Sequence, residues 1–270
     1  MKVEPVFLLS AVAIGFATGL TSGAFGVGGG LLSTPLLRHL LGASAHVALG
    51  TTLALIVPTA IAGALNYLRR NLVAWQLARA CAPPAVLGTI LGSLATMFVH
   101  GQILMLLVAA LIAFTGFDFI SGFGQRFRPA AAPDTGALPA MTALDCRNAR
   151  LVGLAAGFLS GFLGLGGGIL MVPCFCYLFR TSIKVAFGTS LLLVALVSIP
   201  GTVVHALAGH VNAIMALCMI LGSLPGAWLG SSIALRLKES WLRKAFGVLL
   251  VGLSVVFAWR ELTELLKLER

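Results

Sequence analysis

Apolar residues run along this chain in ten stretches, five followed by five. The first five extend from about Val6 to Thr21, Gly29 to Leu41, Val47 to Leu68, Val73 to Val99 and Ile103 to Ile120. The second five extend from about Leu151 to Ser160, Gly168 to Phe179, Val185 to Ala208, Val211 to Leu235 and Trp241 to Trp259. About 20 apolar residues make one helical crossing of a bilayer, so the pattern predicts an all-α membrane protein with about eight to ten crossings or partial crossings. The opening pair of each set is shorter. In the first set, sixteen and thirteen residues make about 24 and 20 Å of helix against a hydrocarbon core of roughly 30 Å.

The two sets are one unit written twice. A shift of 138 carries Gly15 onto Gly153, Gly19 onto Gly157, Ser22-Gly23 onto Ser160-Gly161, Gly26 onto Gly164, Gly28-Gly29-Gly30 onto Gly166-Gly167-Gly168, and Pro35 onto Pro173. The register continues without a gap through HVALGTTL at His46 against KVAFGTSL at Lys184, and GTILGS at Gly88 against GAWLGS at Gly226. Between the units, Gly122 to Arg147 is rich in Pro, Ala and Gly and reads as a solvent-exposed linker. The expected division is therefore residues 1–121, a polar linker at 122–148, and residues 149–270.

The glycine run sits between the two short stretches of each unit. Non-helical backbone in a bilayer must be buried in protein or line a watery cavity. Matching Gly-interrupted segments in two repeats point to a transporter binding site. A helix that starts at the glycines directs its free N–H groups and positive dipole end at the break. Glycine admits close approach of a ligand and positive φ, and Ser22 and Ser160 add hydroxyls. Such a site suits a small oxyanion. Thr51-Thr52 and Thr189-Ser190, matched early in the next span, are candidates for further hydroxyl contacts. The G-x-x-x-G spacings at Gly88/Gly92 and Gly226/Gly230 read instead as helix packing.

Composition narrows the class. The chain is 59% hydrophobic and only 10% charged, whereas soluble domains carry about 25% charged residues. The formal net charge of +10 is spread between apolar stretches with no basic–aromatic stripe, so it reflects membrane topology rather than nucleic-acid binding. If each short pair returns to its starting side, Lys2, Arg38, Arg260, Lys267 and Arg270 fall on one side and the other thirteen of the eighteen Lys and Arg on the opposite side. If each pair is one span, the split is seven to eleven. The sharper split favours inverted units with both termini outside, with a parallel eight-span arrangement still open. The N-terminal apolar run resembles a signal peptide, but its recurrence mid-chain argues against cleavage. Five cysteines, Cys81, Cys146, Cys174, Cys176 and Cys218, include no C-x-x-C and read as apolar filler, with no metal site.

Ionisable residues within the spans are few. Asp118 lies near the end of its span, Arg79 about two turns into its own and within reach of the surface by snorkelling, and His205 is the candidate for carrying a coupling proton. No H-E-x-x-H, G-x-S-x-G or intramembrane acidic pair supports an enzyme. Gly26-Val27-Gly28 lacks the preceding strand of a nucleotide loop.

The motif S-G-x-x-G-x-G-G-G, followed by a helix and Pro in both halves and by G-T-T or G-T-S in the next span, resembles the TauE/SafE family of the wider TSUP permeases. The resemblance covers essentially the whole chain outside the linker. It implies a bacterial-type inner-membrane transporter in the lipid bilayer, exporting sulfite, sulfoacetate and related anions or importing organosulfonates. The expected site comprises Ser22, Gly23, Gly28, Gly29, Gly30, Thr51, Thr52, Ser160, Gly161, Gly166, Gly167, Gly168, Thr189 and Ser190. It is expected to bind a small anion by alternating access, with a proton or sodium as coupling ion and no cofactor. The alternative is an anion channel or a carrier of small carboxylates.

Overall fold

The structure is a computed structural model that describes residues 5–121 and 142–268, with side chains for residues 8–117 and 142–256. Among the described residues every regular element is a helix. The first unit holds α1 (Pro5–Phe25), α2 (Gly30–Leu40), α3 (Ala45–Leu68), α4 (Trp75–Thr96) and α5 (Gly101–Ser121). The second holds α6 (Ala143–Leu163), α7 (Gly168–Leu178), α8 (Ile183–Leu207), α9 (Ala213–Arg236) and α10 (Glu239–Leu268). Five of them, α1, α3, α4, α8 and α9, are long and apolar enough to cross a membrane. Their outer faces carry large apolar side chains such as Leu87, Leu91, Leu94, Leu217, Leu221 and Ile233, the surface a multi-pass protein presents to lipid.

Two boundaries depart from the sequence reading. Helix α1 continues to Phe25, and its 21 residues make about 32 Å, so it is long enough to cross alone. Helix α6 begins at Ala143, inside the expected linker. Thr142 Oγ1 accepts from Asp145 N while Asp145 Oδ2 accepts from Thr142 N, a reciprocal cap that starts the helix eight residues before Leu151. The rest of the linker, 122–141, lies outside the described residues. Other starts are also capped by side chains: Ser44 Oγ accepts from Val47 N, Ser182 Oγ from Val185 N, and Asn212 Oδ1 from Met215 N.

The short helix α2 folds back along α1. Leu37, near its end, packs in one cluster with Ala11 and Ile14 of α1 and with Ala48 and Leu55 of α3. At its start, Gly29 lies against Thr18 and Ser22 of α1. The α6–α7 turn matches it, with Gly167 against Ala156 and Ser160. Each pair is thus a hairpin and not one broken span.

The long helices then pack across the two units. Gly15, Gly19 and Gly23 of α1 face Met219, Ser223 and Ala227 of α9, so the two helices run parallel. Carried forward by 138, Gly15–Met219 becomes Gly153–Cys81 (219 − 138 = 81), and α6 does pack along α4 through Gly153, Gly157 and Gly161 against Cys81, Ala85 and Thr89. A methyl on any of these six glycines would overlap the facing backbone, which is how small residues let membrane helices approach. Gly88 and Gly92 fill the same role from α4, as Gly226 and Gly230 do from α9. Helices α3 and α8 run antiparallel through the centre: Gly50 meets His205 and His210 at one end, and Gly188 meets Tyr67 and Leu72 at the other. Helix α5 closes on α10 at Gly116 and Leu250.

Candidate functional site

Three glycines in each break hold left-handed backbone: Gly26, Gly28 and Gly29 at φ 71, 81 and 88°, and Gly164, Gly166 and Gly167 at 63, 79 and 71°. Side chains rarely tolerate such values, so these positions need glycine irrespective of space. Gly29 and Gly167 are the N-cap residues of α2 and α7, and neither helix start has a side-chain cap. Their carbonyls accept the first intrahelical bonds, from Leu32 N and Ser33 N and from Leu170 N and Met171 N. The first-turn N–H groups and the positive dipole end of each helix therefore face the break.

The two breaks touch one another. A Cβ on Gly30 would lie 2.6 Å from Leu165 Cα, and a Cβ on Gly168 would lie 2.6 Å from Val27 Cα. Gly28 and Gly166 share the same two neighbours, Ile56 of α3 and Val194 of α8. Those side chains stand halfway along their helices, so the breaks meet at mid-depth. Residues 26–31 and 163–169 are all buried.

Ser22 and Ser160 flank this junction. Both are fully buried, and neither hydroxyl has a hydrogen-bond partner. Ser22 Oγ would lie 3.8 Å from a Cβ on Gly29, and Ser160 Cβ 3.3 Å from a Cβ on Gly167. A buried hydroxyl without a partner costs about 1–3 kcal/mol. Two of them stand at matched positions, each next to an uncapped helix start, so unpartnered donors collect at the junction.

The remaining expected site residues have other work. Gly23 and Gly161 are pressed against the α9 and α4 backbones. Thr51 Oγ1 accepts from Asn212 N at 3.0 Å, and Thr189 Oγ1 accepts from Ala74 N at 2.9 Å. Asn212 and Ala74 are the N-cap residues of α9 and α4, so both threonines tie down helix starts. Ser190 Oγ donates to Gly26 O at 2.8 Å and braces the first break. Its match, Thr52, instead accepts from Thr34 Oγ1 of α2 at 3.2 Å, because position 172, opposite Thr34 under the shift, is an apolar valine. The structure thus brings together Ser22, Gly28, Gly29, Gly30, Ser160, Gly166, Gly167 and Gly168, and leaves Thr51 and Thr189 away as caps.

Several contacts at the breaks were not among the expectations. Tyr67 Oη donates to Gly23 O at 3.1 Å, and His205 Nε2 lies 3.4 Å from Gly161 O. These residues are matched under the shift (205 − 138 = 67), so the register that pairs the glycines also pairs them. Ser93 and Ser198 add two more buried hydroxyls without partners. Arg79 is exposed near the start of α4. The Asp118 side chain lies outside those described. Cys174 and Cys176 pack in α7, half-buried and buried.

Comparison with known proteins gives a consistent result. The profile of the family described as sulfite exporter TauE/SafE matches residues 11–257. A probable membrane transporter protein of Xylella fastidiosa is 32% identical over 250 residues, covering 92% of each chain. The probable membrane transporter protein YunE of Bacillus subtilis is 26% identical over 247 residues, covering 86% of this chain and 89% of YunE. The probable membrane transporter protein MamO of Paramagnetospirillum magneticum is 24% identical, with 86% of this chain matching 41% of MamO. No solved structure matches the chain.

Proposed function

We propose that this protein, which belongs to the sulfite exporter TauE/SafE family and is a multi-pass membrane transporter, carries small sulfur-containing anions such as sulfite or organosulfonates by alternating access. The observation that carries this reading is the junction of the two glycine breaks. Two uncapped helix starts, each equivalent to roughly half a positive charge, and two unpartnered serine hydroxyls converge in a buried, uncharged setting. A compact oxyanion has the acceptors that these donors lack. Neither break is open to solvent, which fits an occluded state between outward and inward openings.

The antiparallel course of α3 and α8 supports units inserted in opposite senses. Rocking of one unit against the other would then open the junction to alternate sides. In a bacterial-type inner membrane the start of α3 would then face outside and the Arg69–Arg70 turn the positive-rich inner side. The coupling ion is a proton or sodium.

The test is radiolabelled sulfite counterflow in proteoliposomes, with sulfoacetate, taurine and small carboxylates as competitors. Saturable exchange competed by sulfur anions is expected. Non-saturating flux would make the protein a channel, and competition by carboxylates alone would change the substrate class. Normal exchange by correctly inserted Gly29→Val and Gly167→Val variants would remove the glycine junction from the pathway.

A further inference from the structure

Three histidines from distant parts of the chain meet at one end of the α3–α8 pair. His46 opens α3, His205 closes α8, and His210 lies in the connection to α9. The His46 and His210 rings are 5.1 Å apart between centroids, and the His210 and His205 rings 5.6 Å. Exposure falls along the series: His46 and His210 are half-buried and His205 is fully buried. Beyond His205 lies the Gly161 carbonyl, 3.4 Å from Nε2, next in sequence to Ser160. The buried Nδ1 atoms of His205 and His210 have no hydrogen-bond partner. Ser93 Oγ, also without a partner, would lie 2.7 Å from a Cβ on Gly161 and so stands on the same wall.

The series occurs at one end of the α3–α8 pair only. The positions matched to His205, His210 and His46 are Tyr67, Leu72 and Lys184 (205, 210 and 46 shifted by 138). Tyr67 keeps the carbonyl contact by donating to Gly23 O, but it does not ionise near neutral pH. Tyrosine meets a packing role at this position equally well, so packing does not account for three imidazoles gathered at this end of the α3–α8 pair.

We propose that His205 is a proton-binding site that couples transport, reached from one face through His46 and His210. The proposal rests on the anion-carrier reading above. An imidazole takes a proton on one ring nitrogen and releases one from the other. A proton passing from His46 to His210 to His205 therefore leaves the outer two neutral and His205 positive. No bond other than N–H changes. The imidazolium then stands at the Gly161 carbonyl, one residue from Ser160, and its charge favours an anion at the serine–glycine junction, so proton and anion occupy the protein together. The titratable groups facing His205 are His210 and His46. From α6 it meets the Gly161 carbonyl, while Lys184 and Glu239 lie at the opposite end of α8.

The test uses proteoliposomes filled with a pH-sensitive dye, with the membrane potential clamped and a sulfoacetate gradient imposed. Wild type should move protons with sulfoacetate. His205→Gln, and His205→Tyr as the substitution that copies the other half, should lower protons moved per sulfoacetate at least tenfold. An unchanged ratio in both variants, or sulfoacetate movement without protons in wild type, overturns the proposal. Where neither sulfite nor sulfoacetate moves, the anion reading itself fails, and imidazole NMR decides on the proton site separately. The signal absent from His205→Gln must change with pH, and a His205 that keeps one protonation state from about pH 4 to 8 overturns the assignment.

Discussion

Replacing Ser160 by alanine should act in opposite directions on stability and on anion binding. The hydroxyl is fully buried and has no partner in the empty protein. Its desolvation penalty, about 1–3 kcal/mol, is therefore uncompensated until an anion arrives. Removing the oxygen relieves that penalty and loses little packing volume. The melting temperature of the anion-free variant in detergent should be unchanged or higher; for a chain of this size about 1 kcal/mol corresponds to roughly 2–4 °C. Binding should weaken, because a hydrogen bond to a charged acceptor contributes about 1.5–3 kcal/mol, or about 10- to 150-fold in Kd. Thermal shift with a sulfite titration reads both quantities in one experiment. Ser22→Ala should behave the same way, and the double variant should show non-additive loss if both hydroxyls serve one anion. A Ser160→Ala protein that melts several degrees lower yet keeps its sulfite shift would refute the reasoning, because the hydroxyl would then hold the fold and not the ligand.

Thr189→Val and Thr51→Val should do the reverse, destabilising by about 1–3 kcal/mol through the orphaned N–H of Ala74 or Asn212 with sulfite affinity unchanged; unfolding midpoints in denaturing detergent give the first and thermal shift the second. Gly157→Ala, which drives a methyl into the Ala85 carbonyl, should separate α6 from α4 and cost about 1–3 kcal/mol or more, seen as a lower melting temperature. At Gly29 nothing lies closer than 3.6 Å to an added Cβ, so the cost of Gly29→Ala comes from its φ of 88°, about 1–2 kcal/mol, and Gly29→Asn should recover part of it. His210, in the α8–α9 connection, is held below the usual imidazole range by burial first and by His46 second. The unfolded chain therefore takes up this proton first, and stability should fall as pH drops below about 6.5; His210→Gln should flatten that part of the profile, and an unaltered slope would count against the assignment.

Much of the fold is legible in the chain because a bilayer leaves apolar segments one main option, the helix that satisfies its own backbone. Among the described residues each of the ten stretches became a helix, and the glycine runs became the breaks. The start of α6 was also readable, since Thr-Ala-Leu-Asp at 142–145 is a capping box, but its setting in a Pro- and Ala-rich stretch concealed it. Thr51 and Thr189 were less legible, for a different reason. A hydroxyl early in a span looks the same in sequence whether it meets a ligand or a backbone N–H 161 or 115 residues away.

The sequence by itself determined the helices, the two breaks, the need for glycine there and the matched serines, because helix propensity, positive φ and register are local or periodic properties. Only the tertiary structure decided that each short pair turns back as a hairpin, and that Gly30 lies on Leu165 while Gly168 lies on Val27. It also decided that His46, His205 and His210 converge. The contacts of Gly30 with Leu165, of Gly168 with Val27 and of His46 with His210 join segments more than a hundred residues apart, set by which helix faces are small enough to let two backbones touch.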